Sequence, residues 1–319
     1  MAWVTTKSGK RVNTDWFDDD ANQKERQIKA NKQEAEKKNS KAVDYHSFEN
    51  QQDMAMELYK RTGINFNGHL KDVNKDTFAR TCETLEDLEN KYHINGVGPD
   101  DMQGYRLDVV VPADYEHTFE GEELENAFAC ARLNTVYLNS EHFSMNPEEL
   151  DSAYATGTEG YRPFHPKGTT SRDIIVHEVA HHMMDRKVWE MCGHDTDKYF
   201  KIQKFLTDEN EYDEVSESTM PEIKELFNRF NKVRKKYIGY LKKDPEAVDY
   251  LGSYLKPNTH LTFMANAETF GRYGICKYAS TNYHELIAES FADFYANGKE
   301  AKQLSRMIVV EFLGIKEAK

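Results

Sequence analysis

No apolar run in the 319 residues approaches the length that crosses a bilayer, and the opening Met1-Ala-Trp-Val-Thr-Thr-Lys7 lacks the apolar core of a signal peptide. A chain without a membrane span and without classical secretion is expected. Cysteine is scarce. Cys82, Cys130, Cys192 and Cys276 stand far apart with no C-x-x-C pair, which argues against a cysteine-ligated zinc site or a disulfide-stapled scaffold and for ordinary reduced thiols. Positive charge is in deficit, with 42 Lys and Arg against 55 Asp and Glu and a net charge of -13. Phosphate recognition needs a basic field, so nucleic acid is not an expected partner. There is no internal repeat.

What is present is enough apolar and aromatic material, 39% and 12%, for one substantial core with polar attachments. Residues 1–50 read as a polar arm or linker, because between Asp18 and Lys41 Ile28 is the only large apolar residue and such a stretch cannot bury itself. Residues 51–104 read as a helical N-terminal region, with Phe78, Cys82, Leu85 and Leu88 at helical spacing between Thr77 and Tyr92. Residues 105–319 read as the main domain. Leu107 to Pro112 is a short buried strand stopped by proline, and Thr135 to Asn139 alternates as a half-buried strand that could pair with a peptide at a sheet edge. After a Pro- and Gly-containing loop over 161–170, Thr170 or Ser171 is expected to cap a helix from Asp173 to about Trp189. A charged helical insertion over about 195–260 could shape substrate access. Asn282 opens a last helix and Gly298 closes it. The fold class is α+β, mostly helical, with a small twisted sheet.

The helix after the loop carries His177-Glu-Val-Ala-His181. Two histidines at i and i+4 project from one helix face and can chelate one zinc ion through neutral imidazole nitrogens. Glu178, rotated about 100° from His177, can direct its carboxylate to the attacking water as a general base. Ile175, Val179 and Met183 form an apolar row on the opposite face. His182 points away from His181 and reads as a packed or solvated histidine.

A catalytic zinc needs a third protein ligand. Position 187, where a metzincin has its third histidine, is lysine. The helix starting at Tyr283 offers Glu285, Glu289 and Asp293 at i, i+4 and i+8. Glu285 could be a capping-box residue, since Asn282 precedes it by three, yet like charges on one row are better explained by a buried cation. Glu285 is the expected ligand, with Glu289 the fallback ligand or else the partner of a zinc-bound histidine. His165, in the loop before the motif helix, could border the cleft.

His177-Glu-Val-Ala-His181 together with Tyr278-Ala-Ser-Thr-Asn-Tyr-His-Glu285 and Glu285-Leu-Ile-Ala-Glu-Ser-Phe resembles the catalytic core of anthrax lethal factor and the clostridial Pro-Pro endopeptidases. In that family a tyrosine precedes the zinc-binding glutamate by seven residues, as Tyr278 precedes Glu285. The resemblance implies a zincin-like domain with zinc held by His177, His181 and Glu285. It further implies Tyr278 donating to the oxyanion, Glu289 behind the ligands, and a protein or peptide as substrate. Without it Tyr278 would be one packing aromatic among 18 tyrosines. The stretch from Trp3 to Trp16 is also similar to openings of prophage and mobile-element proteins of Gram-positive bacteria, so cytoplasmic or phage-associated action is expected. Two alternatives accompany the endopeptidase: a phage- or mobile-element-associated structural protein that keeps a zinc-bound zincin fold, and a toxin or effector peptidase.

Overall fold

The computed structural model describes residues 3–5, 11–13, 43–95, 106–119, 127–160, 163–207, 220–252, 255–256, 259–266 and 273–315. The chain divides into two units, Met1–Asp44 and Tyr45–Lys319. In the first, β1 (Trp3–Thr5) pairs antiparallel with β2 (Arg11–Asn13). The charged stretch from Asp18 to Lys41 lies outside the described residues. The second unit starts inside the segment expected to be arm, because Tyr45 is fully buried and donates its hydroxyl to Glu86 at 2.8 Å.

Helix α1 (Gln51–Thr62) is capped by the Asn50 side chain and stopped by Gly63, whose φ of 76° suits a residue without Cβ. It leads into β3 (Asn65–Gly68), which joins β4 (Asp108–Val111), β5 (Ala129–Arg132) and β6 (Thr135–Leu138) in a sheet of order β3-β4-β6-β5. The segment 51–104 is therefore not a helical region apart from the main domain; its strand β3 is one edge of the sheet. β3, β4 and β6 run parallel and β5 antiparallel.

The strand at 135–138 alternates as expected, with Val136 and Leu138 buried, but it lies inside the sheet with β4 on one side and β5 on the other. It cannot be the edge that accepts a peptide. The edges are β3 and β5, and the Ala-Cys-Ala-Arg sequence of β5 has no strand signature of its own. Its hairpin to β6 turns at Leu133 (φ 55°) and Asn134 rather than at an Asn-Gly or Asp-Gly pair.

Helices α2 (Lys75–Tyr92) and α4 (Arg172–Met191) lie where the sequence placed them, α3 (Pro147–Ala155) is an additional helix opened by an Asn146 capping box, and Phe78, Cys82, Leu85 and Leu88 of α2 are fully buried. Ser171 stands at the N-cap of α4 without capping it, because its hydroxyl is bonded to Asp151. The carboxylate of Asp173 instead accepts the Thr170 N–H at 2.8 Å. Ile175, Val179 and Met183 face the core as expected, but α4 is buried from Asp173 to Asp185 on every side, the motif residues included. A helix enclosed in this way keeps its polar side chains only where they find partners.

The described part of the insertion is helical: α5 (Thr196–Thr207), α6 (Pro221–Leu241) and α7 (Pro245–Leu251). It is more than an appendage. Phe230 of α6 stacks on Tyr283 with centroids 3.6 Å apart and on Phe312 at 4.1 Å. Tyr283 is the first residue of α8 (Tyr283–Asn297), so the insertion buttresses the helix that carries Glu285. Gly298 ends α8 at φ 54°, and α9 (Gln303–Ile308) packs behind it. No described helix is long and apolar enough to cross a membrane.

Candidate metal centre

Helices α4 and α8 pack against each other as principal partners, and the motif residues meet between them. His177 and His181 project from one face of α4 with their Nε2 atoms 3.1 Å apart. From α8, Glu285 Oε2 lies 3.1 Å from His177 Nε2 and 3.4 Å from His181 Nε2. Three donors bound about 2.0–2.1 Å from one tetrahedral ion are themselves about 3.3 Å apart, so the triangle has the dimensions of one face of such a site. Glu285 Oε2 is buried and makes no hydrogen bond of standard geometry, and its neighbours are the two imidazoles at ion-pair distance. Among the described residues this is the one group of three such side chains that converge.

Asn282 does cap α8, accepting the Glu285 N–H at 2.8 Å. The cap uses the Glu285 amide and leaves its carboxylate to the histidines. Burial holds His181 down at about 4, so the ring is the neutral imidazole that ligates metals. Burial alone would raise Glu285, but the neighbouring His181 and His177 hold it well below the usual carboxylate range. Burial lifts Glu178 to about 7, with Glu285 adding to the rise while His177 and a backbone hydrogen bond from Ala131 oppose it. A carboxyl group poised near neutrality can both take up and release a proton.

Behind the triangle, Glu289 is fully buried. Its Oε1 lies 3.1 Å from His177 Nδ1 and 2.9 Å from His165 Nδ1, and Cys276 Sγ donates to its Oε2 at 3.6 Å. Glu289 thus stands on the side of the His177 ring away from Nε2, which excludes it as the fallback ligand. Burial would raise it, but His177 and His165 bring it down to about 2. His165 belongs to this arrangement more firmly than its loop position suggested, and it also stacks on Tyr154 at 4.7 Å. Asp293 does not take part; it accepts from Asn297 Nδ2 and from the Lys302 amide.

Tyr278 sits in a single turn, Tyr278–Ser280, fixed by its amide donating to the Phe164 carbonyl at 3.0 Å. Its ring lies near-parallel to those of His177 (5.7 Å, 15°) and Phe164 (4.8 Å, 19°). Burial first, then the carboxylates of Glu285, Glu178 and Glu289, push its hydroxyl far above the ordinary value, so it remains a proton-bearing donor. His182 is a packed histidine, 2% exposed, between the carbonyls of Leu133 and Ile94. His284 and Asp185 are two residues that sequence reasoning did not single out. His284 stacks on His181, and its Nε2 lies 3.3 Å from Asp185 Oδ1. Their only sequence signals were that Asp185 follows His181 by four and that His284 adjoins Glu285. The four cysteines are free and buried, as expected of reduced thiols.

No protein-family model matches the chain, and searches of curated proteins and of solved structures return no match.

Proposed function

We propose that the chain is a zinc-dependent endopeptidase with a zincin-like fold, similar in its site to anthrax lethal factor and the Pro-Pro endopeptidases, acting on a protein or peptide substrate. The observation that carries this reading is the triangle of buried His177 and His181 with half-buried Glu285, and Glu178 beside it on the same helix as the histidines. These three residues would hold the zinc. When bound, zinc lowers the pKa of a coordinated water to about 7 and polarises a carbonyl. Glu178 takes the proton from the attacking water and passes it to the leaving amine, a role that suits a carboxyl lifted to about 7. Tyr278 donates its hydroxyl hydrogen to the developing oxyanion.

Substrate alignment falls to β5 rather than to β6. β5 packs on α4, the helix that carries Glu178, so a peptide added to this edge runs beside the general base. Metal content of the purified chain, followed by incubation with a diverse peptide library, tests the proposal. Stoichiometric zinc with cleavage supports it, and a chain that retains no zinc after incubation with an excess of the ion refutes it.

Two variants refine the roles. Tyr278→Phe keeps the ring stack on His177 and removes only the hydroxyl, so steady-state kinetics should show kcat reduced by about 10²–10³ with zinc retained. An unchanged kcat would reduce Tyr278 to a packing residue. Glu289→Gln removes the negative charge behind His177, and competition with a chromophoric chelator should show zinc affinity weakened by about 10–100-fold. Undiminished affinity would remove Glu289 from the metal centre.

A further inference from the structure

The two histidines of the motif are held by different means. His177 Nδ1 lies 3.1 Å from the buried carboxylate of Glu289, a common way of fixing a ligating imidazole. Nδ1 of both rings is buried without a hydrogen bond of good geometry, but His177 Nδ1 has the Glu289 carboxylate beside it and His181 Nδ1 has no polar partner among the described residues. What meets the His181 ring is the face of His284, with centroids 4.2 Å apart and planes 29° from parallel. His284 Nε2 lies 3.3 Å from the carboxylate of Asp185, one turn beyond His181 on α4. Asp185 Oδ1 in turn accepts from Gln203 Nε2 of α5 at 2.6 Å. A continuous set of contacts therefore runs from the first helix of the insertion, through half-buried Gln203, to one vertex of the triangle.

We propose that His284 is a positioning residue that sets the ring plane of His181 by stacking, and that α5 serves the metal centre by holding Asp185 against His284. The proposal rests on the metal-centre reading above. A ligating imidazole without a bond to its second nitrogen keeps rotational freedom about its ring torsion, and that freedom is lost on coordination. A ring packed against its face removes the freedom beforehand. The α8 helix then supplies a ligand, Glu285, and in the preceding residue the ring that aligns a second ligand. His284 is not a fourth donor, since its Nε2 is turned to Asp185 and it stands outside the three converging atoms.

The test is zinc affinity by chelator competition for wild type, His284→Ala, His284→Asn and His284→Phe, with metal-free thermal melts to verify folding. His284→Ala and His284→Asn, which remove the ring, are expected to bind zinc about 10–100-fold more weakly, and His284→Phe, which keeps a ring, to bind close to wild type. The Asn variant keeps a donor for Asp185 and carries the test if the Ala variant fails to fold. Wild-type affinity in both ringless variants overturns the proposal. So does a Phe variant as weak as Ala, which would give the role to the nitrogens. Gln203→Leu should weaken zinc in the same direction by less, and unchanged affinity there would overturn the part assigned to α5. Wild type that takes up no zinc would instead refute the metal centre itself.

Discussion

Glu178→Gln is expected to abolish peptide cleavage while leaving zinc in place, with kcat reduced by at least about 10²–10⁴, the range that a positioned general base contributes. Glutamine has nearly the volume of glutamate, so the packing of α4 at this buried position is kept. The substitution removes the carboxyl group beside the triangle that burial has lifted to neutral pH. Burial raises Glu178 to about 7 before any cation is present. A divalent ion at the triangle would favour its ionised form, the form that takes up a proton. Zinc content measured by elemental analysis and turnover of a substrate selected from the library together check the result. Turnover close to wild type, with zinc intact, would leave Glu178 no part in the chemistry.

His181→Ala is expected to lose zinc outright. The triangle keeps only His177 and Glu285, and a bidentate remnant has too few protein ligands for a catalytic zinc site. Binding to the folded state alone stabilises it by mass action, about 4 kcal/mol when zinc is a thousandfold above its dissociation constant. Wild type should therefore melt at a lower temperature after treatment with a chelator, whereas His181→Ala should melt at the same temperature with and without it. Differential scanning fluorimetry separates the cases. A chelator-insensitive wild type, or a variant that still gains stability from added zinc, would contradict the assignment of His181. Zinc-linked stability without cleavage of any peptide would favour a structural metal site.

The motif helix was legible because two constraints coincide in it. The i, i+4 spacing of His177 and His181 is a helical repeat, and the apolar row at Ile175, Val179 and Met183 fixes which way the helix faces. The Glu285 helix was legible for a similar reason, since Asn282 and Gly298 mark its ends and Leu286, Ile287 and Phe291 its core side. α2 could be read from Phe78, Cys82, Leu85 and Leu88. β5 could not be read. Ala129, Cys130, Ala131 and Arg132 become a strand only by pairing with β6, and the turn between them lacks the usual residues. β6 was recognised as a strand from its alternation, but alternation records which face is buried and says nothing about what lies to either side. Its placement as an edge was wrong for that reason.

The sequence by itself determined the local chemistry: which residues can ligate, which can take a proton, and on which helix face each one stands. These are properties of side-chain type and of the helical repeat, and both act over a few residues. Tertiary structure decided everything that depends on distance through space. It brought Glu285 within 3.4 Å of histidines 104 and 108 residues away in sequence and set Glu289 against His177. It stacked His284 on His181 and turned the insertion from an appendage into a support for α8 through Phe230 and Tyr283. The packing of one helix on another depends on the summed shape of both surfaces, and no single spacing within either helix encodes it.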